Sequence, residues 1–248
     1  MATLPEKTDA GASFQPLYAQ VHALMQKRIG TGQWQPGALL PNEFQLAAEF
    51  KVSQGTVRKA LMALEADKLI VRRQGHGTYV ARHTAQQALF QFFRIVDLNG
   101  TRLTPVSKAL YQKTRKASQE QAKLLAVKTG SPLHEILRIR YLGNEPSILE
   151  RIFIPVALMA NLSLRVGHEM AEEMYETYQE HFGITIVRAS EKLGAVGADP
   201  DDHTHLSVAV GTPLLEICRV ATGVNGRPVE LRISRCKTTD YRYAAEVT

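Results

Sequence analysis

The side chains best suited to chemistry in the first third of the chain are basic or carry an amide. Gln54, Arg58 and Lys59 share one face of an expected helix, and Arg72 and Arg73 lie near the tip of an expected β-hairpin. Glutamine can pair with two atoms of adenine and arginine with two atoms of guanine, and cationic side chains also bind phosphate. We therefore expect this stretch to contact DNA. The candidate DNA-binding residues are Ser53, Gln54, Gly55, Thr56, Arg58, Lys59, Arg72, Arg73, Gly75 and His76.

Two helix starts and a hairpin would position these residues. Asn42 and Ser53 are good N-cap residues, and apolar residues follow each of them at helical spacing. Residues 69–80 alternate as two short strands around a glycine-bearing tip. A helix pair followed by a basic hairpin predicts a winged helix-turn-helix, with one helix in the major groove and the wing on the adjacent backbone. A helix-turn-helix-like core used for protein contacts remains the plainer alternative.

The same residues resemble the GntR family of bacterial transcription regulators. The shared pattern stands here as Pro36-Gly37, Leu40-Pro41, Glu43, Leu46-Ala47, Val52-Ser53, Thr56-Val57-Arg58, Ala60-Leu61, Leu64 and Gly75-x-Gly77-Thr78-x-Val80. At Gln54 and Phe44 the family often has arginine, so the preferred operator sequence is not carried over from the resemblance. The open alternatives are that Gly55 simply makes no contact, and that the basic wing residues are solvated surface charges.

A second group of charged residues lies near the middle of the chain. Arg138 and Arg140 alternate with Leu137 and Ile139 in an expected strand, which places both guanidiniums on one face about 7 Å apart. Glu150 falls on the partner strand of the same hairpin. Two adjacent guanidiniums repel each other unless an anion or a carboxylate lies between them, and arginine matches carboxylate and phosphate geometry. The pattern predicts an anion site, and a structural ion-pair cluster is the alternative.

An internal repeat indicates how the second domain is built. Residues 130–150 match residues 211–231 at a constant offset of 81, and each copy follows an amphipathic helix, at Gln119–Val127 and Asp201–Val210. Each copy predicts a β-hairpin, because a turn sequence with asparagine and glycine divides two alternating runs. Two helix-plus-hairpin halves predict one antiparallel sheet with helices on one face, an α+β domain.

This second arrangement resembles the UTRA effector-binding domain of the HutC subfamily of GntR regulators. The matching motifs are Leu137-Arg138-Ile139-Arg140, Glu145-Pro146, Glu150, Phe153-Ile154-Pro155, Val210-Gly211-Thr212-Pro213-Leu214-Leu215 and Pro228-Val229-Glu230. The resemblance implies a fold similar to chorismate lyase with a ligand pocket between sheet and helices. It also implies that the effector is bound by Arg138, Arg140, Glu150, Tyr175 and Glu230.

The sequence departs from the UTRA pattern at two places in the implied pocket. The family's Ser-Leu-Tyr stands here as Glu173-Met174-Tyr175, and a late aromatic run is replaced over residues 236–241. A carboxylate at residue 173 argues against a phosphate there. The expected effector is therefore a small organic anion, which carries an amine if it meets Glu173.

We divide the chain into a flexible tail at residues 1–14, a winged helix-turn-helix at 15–80, a linker at 81–88 and a UTRA domain at 89–248. The first helix is expected to start after Pro16 with Leu17, Val21 and Leu24 on its buried side. A further helix is expected over Glu169–Phe182 and a strand near Ile184–Glu191.

Composition narrows the class of protein. The 248 residues carry a net charge of +6. The segment from Lys51 to Arg82 contains seven Lys or Arg residues and only two acidic residues, Glu65 and Asp67, and this excess of positive charge suits a polyanionic partner. Cys218 and Cys236 are too few for a disulfide framework. No signal peptide or membrane span is evident, so we expect a cytoplasmic protein without a membrane partner or cofactor.

Together these patterns predict a ligand-responsive repressor that binds a pseudo-palindromic operator as a homodimer and is released by a small anion. One alternative is a DNA-binding head fused to a lyase-like enzymatic domain, although no nucleophile constellation or phosphate-binding glycine loop is present. Another is an architectural DNA-binding protein with an inert second domain. Asp199, Asp201, His203 and His205 include possible metal ligands, but the aspartates sit where a helix needs a cap.

Overall fold

The structure is a computed structural model that describes residues 15–81, 92–170 and 174–245. The proposed flexible tail lies outside these residues, as do most of the linker and the two ends of the proposed UTRA range. Within them, the domain order expected from the sequence is observed. A helical unit with a hairpin is followed by a larger unit built on one antiparallel sheet.

Three helices form the first unit, and local capping explains where two of them begin. The helices are α1 (Leu17–Gly30), α2 (Glu43–Phe50) and α3 (Gln54–Ala66). Asn42 caps α2 in a reciprocal capping box with Gln45, and Ser53 caps α3 by accepting from the Thr56 backbone N–H. Both N-caps were predicted from the sequence and are confirmed.

The expected face of α3 is confirmed, whereas that of α1 was partly wrong. Buried side chains of α3 are Val57, Ala60, Leu61 and Leu64. Along α1 the buried stripe is Val21, Met25 and Ile29. Leu17 and Leu24 are 59% and 50% exposed. The residues of α1 that face the core recur at every fourth position, whereas the predicted set combined spacings of four and three.

The hairpin consists of β1 (Ile70–Arg73) and β2 (Gly77–Val80), paired antiparallel. Residues 38–40 add backbone hydrogen bonds to β2, since the Leu40 N–H donates to the Thr78 carbonyl at 2.8 Å. Gly77 has φ +109°, and a Cβ there would lie 2.8 Å from Leu39 Cδ1. A side chain at residue 77 would be strained by this positive φ, and it would also require the exposed end of Leu39 to move aside.

The second unit is a six-stranded antiparallel sheet with strand order β4-β5-β6-β9-β8-β7. Its strands are β4 (Val106–Lys116), β5 (Pro132–Leu142), β6 (Glu145–Pro155), β7 (Ile186–Gly197), β8 (Pro213–Gly223) and β9 (Pro228–Lys237). Two short strands, β3 (Ile95–Asp97) and β10 (Tyr241–Tyr243), form a separate ribbon. Both predicted hairpins, β5–β6 and β8–β9, are confirmed.

The internal repeat extends to details of the backbone. Helix α4 (Gln119–Leu125) precedes the first hairpin and α6 (Pro200–Leu206) precedes the second. Ser118 and Asp199, which are 81 residues apart, each cap their helix through a capping box. Each helix ends at a left-handed residue, Ala126 or Ser207. The predicted α6 was four residues too long because the left-handed turn at Ser207 ends it before Val210.

Helices cover both faces of the sheet, so the expectation of helices on one face was wrong. One face packs on α4 and α6 through leucines that include Leu125 and Leu206. The other face packs on α5 (Met174–Phe182) and on the β3–β10 ribbon, through Tyr175, Tyr178 and Tyr241. The repeat alone could not reveal this layer, because α5 and the ribbon lie outside both copies.

Two other boundaries differ from the expectation. The helix predicted over Glu169–Phe182 is observed from Met174, and Glu169 instead forms a β-bridge with Lys108. Glu169 therefore pairs with the edge strand β4, although the periodicity of the sequence had suggested a helix at this position. The strand predicted near Ile184–Glu191 is the longer β7. Cys236 is buried, Cys218 is partly buried and both are free thiols.

Candidate functional site

The N-terminal turn of α3 presents the first group of predicted DNA contacts. Ser53, Gln54, Gly55 and Lys59 are exposed, and Thr56 is half-buried because its hydroxyl lies 2.9 Å from that of Ser53. A Cβ added to Gly55 would meet only Ser53 Oγ, at 3.9 Å. Glycine at residue 55 is therefore not required by crowding within the chain, and its absent side chain leaves the backbone open to a partner.

Glu43 forms ion pairs with an arginine of α3 and an arginine of the wing. Arg58 donates through Nε and Nη2 to Glu43 Oε2 at 3.0 and 2.9 Å, and Arg72 Nη1 lies 3.8 Å from the other oxygen. The hydrogen bond that Arg58 donates to Glu43 raises the pKa of Arg58. These contacts are not visible in the local sequence, because Arg58 and Arg72 follow Glu43 by 15 and 29 positions.

The wing presents the remaining predicted contacts. Arg73 lies over the ring of Tyr79, with its guanidinium carbon 5.0 Å from the ring centroid, and Tyr79 donates to the His76 carbonyl. Gly75 has φ +76° in the tip, and Arg72, Arg73 and His76 are exposed. We call the predicted DNA contacts at the start of α3 and in this wing the reading surface. Its members are Ser53, Gln54, Gly55, Thr56, Arg58, Lys59, Arg72, Arg73, Gly75 and His76.

A second candidate site lies on the α5-facing side of the sheet and is entirely buried. We call it the polar row, consisting of Arg138, Glu150, Ser234, Arg232 and Glu230 from three adjacent strands. Arg138 stands directly opposite Glu150, which stands opposite Ser234. Glu150 was expected only on the partner strand of the hairpin that carries Arg138, and the structure shows that the two residues are paired directly.

Glu150 is bonded from both sides. Arg138 Nε donates to Glu150 Oε2 at 2.7 Å, Arg138 Nη2 donates to the same oxygen, and Ser234 Oγ donates to Oε1 at 3.0 Å. Burial alone would raise the pKa of Glu150. The charges of Arg138, Arg232 and Arg140 outweigh burial and hold the pKa well below its ordinary value. Glu150 is therefore ionised at neutral pH.

Glu230 anchors the other end of the polar row. Arg232 donates to its two oxygens at 2.9 Å each, Tyr175 donates at 3.3 Å, and Tyr178 donates to Oε2. Burial and the charge of Glu230 raise the pKa of Tyr178 well above its ordinary value, so both tyrosines act as hydroxyl donors. Arg232 Nη1 lies 3.7 Å from Glu150 and joins the two ends.

Arg140 lies at the margin of the polar row. Its guanidinium carbon is 4.8 Å from the centroid of Phe93, and its side chain is buried. Its charge still acts on Glu150. All five predicted effector residues are thus buried, with Arg138 bonded to Glu150 and Tyr175 to Glu230.

Several members of this network were missed at the level of sequence. Arg232 and Ser234 follow Glu230 at a period of two, which is the signal that would have placed them on the same face. The repeat offset of 81 also relates Arg138 to Arg219, which donates to Glu191 at 2.6 Å and to the Phe92 carbonyl. Tyr178 follows Tyr175 on the same side of α5.

The candidate metal ligands have structural partners. Asp199 accepts from the backbone of Asp201 and Asp202, and both Asp199 and Asp202 bind Arg235 Nη1, at 2.6 and 2.8 Å. His203 Nδ1 lies 2.7 Å from the Val208 carbonyl. Among the residues that the structure describes, no group of three or more His, Cys, Asp or Glu side chains is arranged to hold a metal ion. Nor is any described helix long and apolar enough to cross a membrane.

Comparison with known proteins agrees with this architecture. Residues 17–80 match the gntR family of bacterial regulatory proteins, and residues 101–242 match the UTRA domain. The repressor NagR of Bacillus subtilis is 29% identical over 216 residues, covering 87% of this chain and 88% of that protein. A probable fructoselysine utilization operon repressor of Escherichia coli is 25% identical, covering 91% and 92%.

A solved structure supports the C-terminal half. The ligand-binding domain of a GntR-family transcriptional regulator from Bordetella bronchiseptica has a TM-score of 0.59 and 27% identity. It covers 63% of this chain and 98% of that chain. With both halves matched in the same order, the chain belongs to the gntR family of bacterial regulatory proteins, as a DNA-binding transcriptional regulator that carries a UTRA domain.

Proposed function

We propose that the protein is a repressor from which a small anion, bound at the polar row, releases the operator. The observation that carries this proposal is that Arg138, with no exposed surface, already holds a carboxylate, Glu150. A ligand carboxylate or phosphate fits the same guanidinium geometry. Glu150 would then be a placeholder that the ligand displaces from Arg138, with Arg140 close enough to share the new charge.

Displacement requires the row to open. Arg138, Arg232 and Glu230 are buried, and Tyr175 of α5 lies against Arg232, so we infer that an anion reaches the row when α5 moves. The closed form is held by Tyr175 and Tyr178 on Glu230. Ligand entry would exchange these contacts for contacts to the ligand, which is the differential affinity that a two-state switch needs.

A route from the row to the DNA-binding domain starts at Phe92. Tyr175 packs edge-on against Phe92 with ring centroids 5.2 Å apart, and Arg219 donates to the Phe92 carbonyl. Phe92 directly follows residues 82–91, which join the two domains in sequence. Movement of α5 would therefore act on the end of that connection, where the chain enters the second domain. Allosteric coupling of this kind is typically about 1–3 kcal/mol.

The chemical class of the effector follows from the charges. Arg138 and Arg140 favour an anion as the ligand. One of the relatives named above is a probable repressor of a fructoselysine utilization operon. Glu173 lies outside the described residues, so the amine that it would recognise stays a prediction from the sequence. We infer a small organic anion as the ligand class.

We further infer a homodimer. One winged helix covers one half-site, and a pseudo-palindromic operator mirrors a two-fold axis. Strand β7 is an edge of the six-stranded sheet, and its Leu193 is 51% exposed. The other edge, β4, is bridged by Glu169. The β7 edge is therefore our candidate for the contact between copies. We also infer a cytoplasmic location, in keeping with the DNA target.

We infer that the second domain is not enzymatic. The relatives are named as repressors, and the tyrosine hydroxyls and carboxylates of the row are all committed to one another. A lyase would need a free acid or base at neutral pH. Turnover of candidate anions by the purified protein would revive the enzymatic alternative.

A thermal-shift screen with small organic acids, amino-acid catabolites and sugar phosphates tests the proposal. A ligand that binds only the folded state raises its stability by about 2.7 kcal/mol at a hundredfold excess over Kd. We expect one class of anion to raise the melting temperature of the wild type but not of the double variant Arg138→Met/Glu150→Leu. Equal shifts in both proteins would refute binding at the polar row.

A further inference from the structure

A second cavity, separate from the polar row, lies between the two domains. It has a volume of about 390 Å³ and is lined by residues of both, including Lys68 from the first domain and Arg94, Arg188, Glu191 and Tyr243 from the second. Ligand pockets for small molecules typically have volumes of roughly 300–1,000 Å³. The cavity is therefore large enough for a small metabolite.

The walls of this cavity are cationic. Lys68, Arg94 and Arg188 contribute three positive charges, and Glu191 is the sole carboxylate among the described lining residues. Glu191 already accepts hydrogen bonds from Arg219 and from the Tyr243 hydroxyl. Burial, followed by the hydrogen bond to Glu191, raises the pKa of Tyr243 to about 12. In the described part of the chain, no carboxylate lies within 4.0 Å of the charged atoms of Lys68, Arg94 or Arg188.

Lys68 has an unfavourable backbone conformation just after the end of α3. It follows the C-cap of α3, Asp67, and has φ +57°, a conformation that L-residues other than glycine seldom adopt. Its N–H donates to the Glu65 carbonyl, and the next N–H, of Leu69, donates to Leu64. The end of α3 therefore fixes where the Lys68 side chain starts.

The cavity opens beside a larger one of about 530 Å³ that shares Lys68, Val187 and Arg188. This second space is lined by Gln26 of α1 and by the β8–β9 hairpin, whose Val224 is packed into the core of the first domain. Both spaces therefore exist only while the DNA-binding domain is seated on the sheet. A ligand that contacts both walls would favour that arrangement.

We propose that this inter-domain cavity binds a small anion, bearing phosphate or carboxylate groups, that bridges Lys68 to Arg188 and Arg94. The three cations would be neutralised by one ligand, in the way that arginine and lysine bind phosphate elsewhere. Since Lys68 directly follows the C-cap of α3 and Arg188 lies on β7, the bound anion would tie the end of α3 to the sheet. The proposal does not depend on the polar row.

Isothermal titration of the full-length protein with inorganic phosphate, at constant ionic strength set with chloride, tests the site. Citrate in a second series distinguishes a carboxylate ligand from phosphate. The variants are Lys68→Gln and Arg188→Gln, both at exposed positions. The exposed Lys123→Gln is the matched control, because it lies on α4, away from the β7 edge and outside both cavities. The Arg138→Met/Glu150→Leu variant reports on the polar row.

We expect saturable binding of one anion, weakened about tenfold or more by each of Lys68→Gln and Arg188→Gln, because each removes one charge-assisted contact. Lys123→Gln and the polar-row variant should bind as the wild type does. Equal weakening by Lys123→Gln would mean unspecific charge binding and would overturn the proposal. Loss of binding only in the polar-row variant would also overturn it, while leaving the proposed function intact, and so would the absence of saturable binding of either anion.

Discussion

The reading surface and the polar row both contain arginines that bind a glutamate, Glu43 in the first case and Glu150 or Glu230 in the second, but the two regions differ in exposure. The side chains of Arg58 and Glu43 are 60% and 27% exposed, whereas those of Arg138 and Glu150 are 0% and 4% exposed. Exposed pairs contribute little to stability, and their partners are easily exchanged. Buried pairs are costly to break, because each leaves an uncompensated charge. The first region is thus suited to exchanging Glu43 for DNA phosphate or a base, and the second to two discrete states.

The largest expected effect comes from breaking the buried pair on one side. Arg138→Ala or Glu150→Ala should each reduce the free energy of unfolding by about 3–5 kcal/mol, because one buried charge loses its partner. Replacing both in Arg138→Met/Glu150→Leu should cost less than either single change. Urea denaturation of the three variants measures this. A double variant less stable than both singles would mean that the pair stabilises the fold beyond charge compensation.

Acid should weaken the polar row. Because the folded-state pKa of Glu150 is lowered, its contribution is complete above the unfolded value of about 4.3 and is lost as pH falls below it. Glu150→Gln should therefore flatten the dependence of unfolding free energy on pH between about 4.3 and lower values. The exposed Glu145→Gln on the same strand is the control. Identical slopes for Glu150→Gln and the wild type would contradict the assigned direction.

Much of this comparison could be drawn from the sequence, but only where the signal is local. Asn42, Ser53, Ser118 and Asp199 mark helix starts because a cap acts within three residues. The alternation of Arg138 and Arg140 placed both on one face, since the strand period is two. These features do not require knowledge of which elements meet in space.

What the sequence did not reveal depends on distant partners. Glu43 meets Arg58 and Arg72 only after α2, α3 and the wing have packed together. Arg232 serves Glu230 and Glu150 from two different strands. Helix α6 ends at Ser207, which has a left-handed backbone conformation although it is not a glycine. In each case tertiary packing decided between options that the local pattern left open.

A change at the reading surface should affect DNA affinity and leave stability nearly unchanged. Arg58→Ala should weaken binding to a selected operator by roughly 5- to 150-fold, the range of one lost base or phosphate contact. Lys123→Ala on α4 removes the same charge away from this surface and is the control. Fluorescence anisotropy at physiological salt measures both. Near-wild-type affinity of Arg58→Ala would remove Arg58 from the reading surface.

The smallest effect is expected in the wing. Arg72→Ala should weaken binding to all sequences alike and lower the slope of log affinity against log salt by about one, because one phosphate contact is lost. Anisotropy titrations at several salt concentrations on operator and scrambled DNA report this. A loss confined to the operator sequence would instead assign Arg72 to base recognition.

The most direct test of the account follows operator release. A labelled DNA fragment, selected by the wild type from a random pool, is bound by wild type or by Arg138→Met/Glu150→Leu and titrated with the anion that raises the wild-type melting temperature. Both proteins should bind the fragment equally in the absence of ligand, and only the wild type should release it. Equal release by both would contradict control of DNA binding through the polar row.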